Sequence, residues 1–146
     1  MENLPSCCVI TKALLDQTLA TPSTQGKRML EPLKAFSAEN KIPLNILEDR
    51  EVANEAEVHM HEADLWYCLE GEVRFTYGGE LVDPWTKKLA DGTEDPRELK
   101  AKEIKGGSQT VLRPGDWLWI PAGQPHQHSA EGIARLVIIK VPVKTV

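Results

Sequence analysis

The sequence predicts an all-β sandwich or barrel preceded by a partly helical N-terminal arm. Three observations lead there. From about Ile42 onward, short apolar runs alternate with turn signals at close intervals. No long helical pattern follows residue 40. The four histidines fall into two His-x-His pairs, His59/His61 and His126/His128. In an extended strand, residues two apart share a face, so each pair can aim two imidazoles at one point.

The elements follow in order. Thr11 is placed to cap a short helix through Leu14, Leu15 and Leu19, which Pro22 ends. Residues Pro22–Gly26 form a polar breaker, and Pro32 interrupts what comes next. We divide the chain into an arm, residues 1–40, and a β-domain, residues 41–146. Strands are predicted at Ile42–Leu47, Val52–Met60, Leu65–Leu69 and Val73–Tyr77, and then at Leu99–Ile104, Thr110–Leu112, Trp117–Ile120 and Ala134–Val141. Gly78-Gly79, Gly106-Gly107 and Pro114-Gly115-Asp116 supply turns. The stretch Asp83–Arg97, rich in charge and broken by Pro84, Gly92 and Pro96, reads as a solvated loop. Leu65–Leu69 and Trp117–Ile120 are apolar on both faces, so the barrel's outer face needs a cover. The arm or a second subunit can supply it, and we expect a homodimer.

Composition narrows the function. The 146 residues suffice for one domain with a proper core. A net charge of −5 argues against nucleic acid as a partner, because neutralising phosphates takes a basic face. No apolar run is long enough to cross a bilayer, and Glu2 stands where a leader needs a basic residue. Three cysteines without a CxxC pair suit a reducing compartment. These features lead us to expect a cytoplasmic protein.

Imidazole is the commonest protein ligand for transition metals, and the two pairs leave no histidine elsewhere in the chain. The surrounding residues resemble the two motifs of the cupin superfamily. His59-Met60-His61-Glu62-Ala63-Asp64, followed six residues later by Gly71, resembles the first motif. Gly115, Pro121, Gly123 and His126 match the second, GxxxxxPxGxxH, at every fixed position. The likeness spans roughly Ile42 to Val141 and is that of small single-domain bacterial cupins. It implies a double-stranded β-helix, or jelly-roll, barrel whose mouth holds one divalent transition metal (iron, manganese, zinc or nickel). By position the resemblance makes His59, His61 and His126 the imidazole ligands and Asp64 the carboxylate, where the family has glutamate. Asp64 can instead orient an imidazole, and Glu62 is a substitute ligand on the other face. His128 lines the pocket as a candidate catalytic acid or base.

Three imidazoles and a carboxylate on a six-coordinate ion leave two open positions. The expected function is therefore a small metalloenzyme of dioxygenase or isomerase type, acting on a small organic acid, keto compound or sugar derivative. The alternative is a non-catalytic module that binds or senses a small ligand. Arg74, Arg113 and Arg135 are the candidate carboxylate clamps.

Overall fold

The computed structural model describes residues 4–144. Met1–Asn3, on which part of the leader reading rests, and residues 145–146 lie outside it. Helix α1 covers Lys12–Leu19, with the Thr11 hydroxyl accepting from the Leu14 amide at 3.1 Å. A second helix, α2, covers Leu33–Asn40 and begins directly after Pro32. There the proline does not interrupt a helix but opens one, because the first turn needs no donor from it. Between the helices, β1 (Gly26–Met29) pairs with the edge of the main sheet.

The remaining strands are β2 (Leu44–Ala53), β3 (Ala56–His59), β4 (Glu62–Glu70), β5 (Val73–Tyr77) and β6 (Glu80–Leu81), followed by β7 (Trp85–Lys88), β8 (Glu94–Ala101), β9 (Ile104–Lys105), β10 (Ser108–Leu112), β11 (Trp117–Ile120) and β12 (His126–Pro142). All pairings are antiparallel, and ten of the strands form one curled sheet, a β-barrel of the kind the sequence implies. Strand β12 is its axis. Along one edge it pairs with β3 and the whole of β2, and along the other with β5 and then β4. A bulge between Ala130 and Ile133 lets this 17-residue strand bend around the barrel.

The stretch expected to be a solvated loop is instead the β7–β8 hairpin. Its register slips between Thr86 and Lys87, which leaves Pro96 out of the pairing, so its missing N–H costs no ladder bond. The hairpin places Glu98 and Lys100 beside β3.

Inward residues of the strands build the core: Leu47, Trp66, Cys68, Val73, Phe75, Leu112, Ile120, Leu136 and Ile138. Cys68 is fully buried, and burial pushes its thiol pKa up, as suits an inert core residue. On the outer face, Leu30 and Leu33 of the arm pack on Ile46, with Leu14, Leu15, Leu19, Leu69 and Val137 around them. The arm thus covers part of the outer face. No helix among the described residues is long and apolar enough to cross a membrane.

One buried ion pair fastens the arm. Glu48, with no exposed surface, accepts from Arg135 Nε at 3.0 Å and Nη2 at 2.8 Å. Its other oxygen accepts from Arg28 Nε at 3.0 Å and the Thr24 amide at 3.2 Å. Arg135 also donates to the carbonyls of Leu19 and Thr21. Burial alone would raise the Glu48 carboxyl, but Arg135, Thr24 and Arg28 hold it below its ordinary range. Removing one member strands a buried charge. Arg135→Met should therefore cost about 3–5 kcal/mol in urea unfolding. A loss within about 0.5 kcal/mol, the range of an inert surface change, would show that the pair does not hold the arm.

Candidate metal centre

Sheet register assembles the site. Strand β3 lies between β12 and β8, which sets Glu57 opposite both His126 and Lys100, and His59 opposite Glu98. Glu57 and His59 are two apart on one strand and face the same way. On β4, Asp64 stands opposite Lys140 of β12.

Four side chains converge as a result. Glu57 Oε1 lies 3.5 Å from His59 Nε2 and 3.5 Å from His126 Nε2. Asp64 Oδ2 lies 3.7 and 3.3 Å from the same nitrogens. The tightest group is Glu57, His59 and His126, whose ligand atoms all fall within 4.8 Å of one another. His126 and Asp64 are each 1% exposed, and His126 Nε2 and Asp64 Oδ2 are buried without a hydrogen-bond partner. Buried polar atoms are normally satisfied, so this pair of orphans marks a place for a cation.

The histidine tautomers also suit one. His126 Nδ1 faces the Gln124 carbonyl oxygen at 3.1 Å, which can only accept, so Nδ1 carries the hydrogen and Nε2 is left for a ligand bond. His59 Nδ1 faces Glu98 Oε1 at 3.6 Å, and Lys87 neutralises Glu98 from behind at 3.1 Å. Donors about 2.0–2.1 Å from a tetrahedral ion stand roughly 3.4 Å apart, and these spacings run from 3.3 to 3.7 Å. The donor set fits a divalent transition metal. Lys140 Nζ donates to Asp64 Oδ1 at 2.8 Å and lies 3.2 Å from His59 Nε2. A metal that takes His59 Nε2 must displace Lys140 from it.

Charge is balanced within the cluster. Burial would raise the Glu57 and Asp64 carboxyls. The neighbouring imidazoles, and Lys140 at Asp64, hold both below the ordinary carboxylate range. Burial would likewise depress the His126 imidazole, but Asp64 and Glu57 outweigh it and push its pKa up to about 9.

His128 belongs to a second, adjoining group. Its Nδ1 lies 2.5 Å from Asp49 Oδ2, and Asn54 Nδ2 donates to Asp49 Oδ1 at 3.1 Å. With Nδ1 committed to a buried carboxylate, Nε2 is the nitrogen left for the interior. There His128, Trp66 and His59 line a cavity of about 250 Å³.

The structure therefore brings together His59, His126 and Asp64 of the residues singled out by sequence, with His128 nearby. It does not bring His61 to them. Strand β3 ends at His59, and Met60-His61 forms a bend, so the two-residue parity stops there. His61 is exposed and lines a groove with His59, Glu62, Arg97 and Glu98, outside the close group of ligand atoms. Reading the parity backward from His59 leads to Glu57, which carried that signal unread. Glu98, Lys140 and Asp49 reach the site only through strand pairing, and nothing local marks them. Of the candidate clamps, Arg135 is spent on Glu48, Arg113 pairs with Glu72 on the surface, and Arg74 is exposed on β5.

No protein-family model matches the chain, and no curated protein matches it. Solved structures do. E. coli ycfD aligns over 86% of this chain and 36% of its own, with a TM-score of 0.57 at 18% identity. The iron(II) form of HppE aligns over 84% of this chain and 57% of its own, with a TM-score of 0.48 at 14% identity. The Drosophila melanogaster CENP-C cupin domain structure aligns over 67% and 59%, with a TM-score of 0.42 at 18% identity. The chain thus spans less than two thirds of the length of each. The likeness is one of fold, a curled antiparallel β-barrel.

The raised pKa of His126 has a measurable consequence in chelator-treated protein. Its folded value, about 9, lies above its ordinary value of 6.5. The stability it contributes is therefore fully present below about 6.5 and is lost as pH rises through about 9. Tm should fall across that window, and in His126→Gln the fall should be absent. Parallel curves for the two proteins would show that His126 is not held as an imidazolium. Because a metal must replace that proton, metal affinity should rise with pH over the same window.

Proposed function

We propose that this cupin is a small metalloenzyme, with one divalent transition metal held by Glu57, His59 and His126 and supported by Asp64. The observation that carries the reading is the meeting of two orphaned buried atoms, His126 Nε2 and Asp64 Oδ2, with His59 and Glu57 around them. Two histidines and one carboxylate on one face leave positions open for a substrate. When bound, iron, manganese, zinc or nickel there would polarise a substrate oxygen, and iron would also support dioxygen chemistry.

The chain's own residues do the rest. Gln124 orients the His126 imidazole through its carbonyl, and Glu98 stands 3.6 Å from Nδ1 of His59. Lys140 neutralises Asp64 and so keeps a buried carboxylate charged. His128, clamped by Asp49, offers Nε2 to a ligand in the cavity and can hold a proton there. A small keto or hydroxy compound fits these groups. The dioxygenase and isomerase readings share this arrangement.

Metal analysis of the purified protein should find near one equivalent. Glu57→Gln and His126→Ala should weaken retention more than about a hundredfold, beyond the loss expected for an outer partner. His61→Ala should leave it intact. Loss in His61→Ala with retention in Glu57→Gln would restore the ligand set that the sequence motif implies. One bound equivalent with no turnover of any keto or hydroxy acid would favour the binding-module reading.

We also propose that the protein is a homodimer in a reducing, cytoplasmic setting, the latter supported by three free thiols. For the dimer the support is β11, which pairs only with β4 among the described strands and carries Trp117 and Trp119, 58% and 51% exposed. The Tyr67 ring lies 4.4 Å from that of Trp117 and extends the patch. An edge strand meeting its own copy about a two-fold axis pairs antiparallel and complements itself. Light scattering should give twice the 16.3 kDa chain mass, and Trp117→Lys with Trp119→Lys should give the monomer. A monomer mass for the unaltered protein at every concentration ends the dimer reading.

A further inference from the structure

The metal cluster already holds a cation of the chain's own. Lys140 Nζ donates to Asp64 Oδ1 at 2.8 Å and lies 3.2 Å from His59 Nε2. An ammonium has donors only, so at His59 it faces a ring nitrogen that must accept. The ring hydrogen of His59 then sits on Nδ1, toward the Glu98 carboxylate 3.6 Å away. That tautomer leaves His59 with a single lone pair, on Nε2. A metal ion needs this lone pair, and Lys140 is on it.

Asp64 divides its two oxygens. Oδ1 takes the lysine, whereas Oδ2 is buried without a partner and faces His126 Nε2 at 3.3 Å. A metal on Oδ2 and His126 Nε2 leaves the Lys140–Asp64 bond alone. The conflict between ammonium and metal is confined to His59.

The lysine also has somewhere to go. Glu62 and Asp64 are two apart on β4 and share a face. Glu62 lines the same cavity as Lys140 and makes no ion pair among the described residues. The Lys140 side chain is 30% exposed, against 1% for Asp64, so packing does not lock it. It can pivot on Asp64 Oδ1 toward Glu62 and open His59 Nε2.

Charge gives such a lysine its purpose. Glu57 and Asp64 face the same two imidazoles from largely buried positions, and with no cation nearby their charges would be uncompensated. Lys140 on Asp64, with Lys100 3.8 Å from Glu57, supplies the compensation from within the chain. Once a divalent ion is bound, the same ammonium is a like charge and opposes it.

We infer that Lys140 is a built-in counter-ion that competes with the metal for this cluster, holding the empty site together and setting how tightly a metal must bind to take it. Uptake moves the lysine off His59 toward Glu62. This role rests on the proposed metal site and deepens it, because it names the group that regulates loading. A lysine that merely oriented a ligating carboxylate would strengthen metal binding instead. The two roles predict opposite signs.

The test is the zinc affinity of full-length, chelator-treated protein, measured against a chromophoric chelator at one pH throughout. Lys140→Gln should bind zinc about tenfold more tightly than the unaltered protein, as for removal of a screened like charge. Lys140→Arg, which keeps the charge, should show no such gain. Lys100→Gln removes a charge that touches neither imidazole and should gain less. Without zinc, Lys140→Gln should melt below the unaltered protein, and excess zinc should narrow the gap. In unaltered protein labelled with ¹³C at lysine Cε, zinc should shift the Lys140 resonance, identified by Lys140→Arg. That measurement decides the matter where Lys140→Gln does not fold. One equivalent of zinc in the unaltered protein, with equal or weaker binding in Lys140→Gln, overturns the inference and leaves the metal site standing. An unmoved Lys140 resonance in zinc-loaded protein does the same, as does an equal gain in Lys140→Arg or Lys100→Gln. Zinc taken up by Lys140→Gln alone sustains the inference and makes the lysine, not a metal, the resident cation of the unaltered protein. No zinc in either protein overturns both.

Discussion

The pairing of β12 along both its edges is the constraint on which the rest depends. One strand of 17 residues brings His126 opposite Glu57 and Lys140 opposite Asp64. Every close distance in the metal cluster follows from those two registers. A slip of one residue would turn His126 out of the barrel and Gln127 into it, since side chains alternate along a strand. The bulge at Ala130–Ile133 is part of the same constraint, because it lets the two halves of β12 face different partners without losing either ladder.

Register also explains why buried charge is tolerated here. Glu57, Asp64, Glu48 and Asp49 all lie on interior or covered surfaces, where an unpaired carboxylate would be neutralised or would unfold the chain. Each is met across the sheet or from the arm: by His126 and Lys100, by Lys140, by Arg135 and Arg28, and by His128. The pairs divide by purpose. Glu48 has all its partners within hydrogen-bond range and holds the arm. Glu57 and Asp64 keep oxygens facing two imidazoles at 3.3–3.7 Å, too far for good hydrogen bonds and suited to an ion between them.

Much of this was legible in the residues, and the limits have physical causes. The second motif puts His126 after a turn whose Gly123 adopts φ +83°, and so fixes the start of β12. Trp66 and Cys68 share the strand parity of Asp64, and all three are buried in the interior. The paired histidines mark the site region but not its full composition, because parity holds only while the strand lasts, and β3 stops at His59. The β7–β8 hairpin was hidden by its charge and prolines. Two of those charges, Glu98 and Lys100, lie on the face of β8 that pairs beside His59 and Glu57. Glu98, Lys100 and Lys140 are ordinary surface residues by sequence, and only the pairing of strands distant along the chain makes them part of a site.

The same reasoning ties the cavity to the cluster. Lys140 neutralises Asp64 on the metal side and lines the cavity on the other, and His59 and Glu57 border both. A ligand in the cavity and a metal on the histidines therefore act on one set of charges.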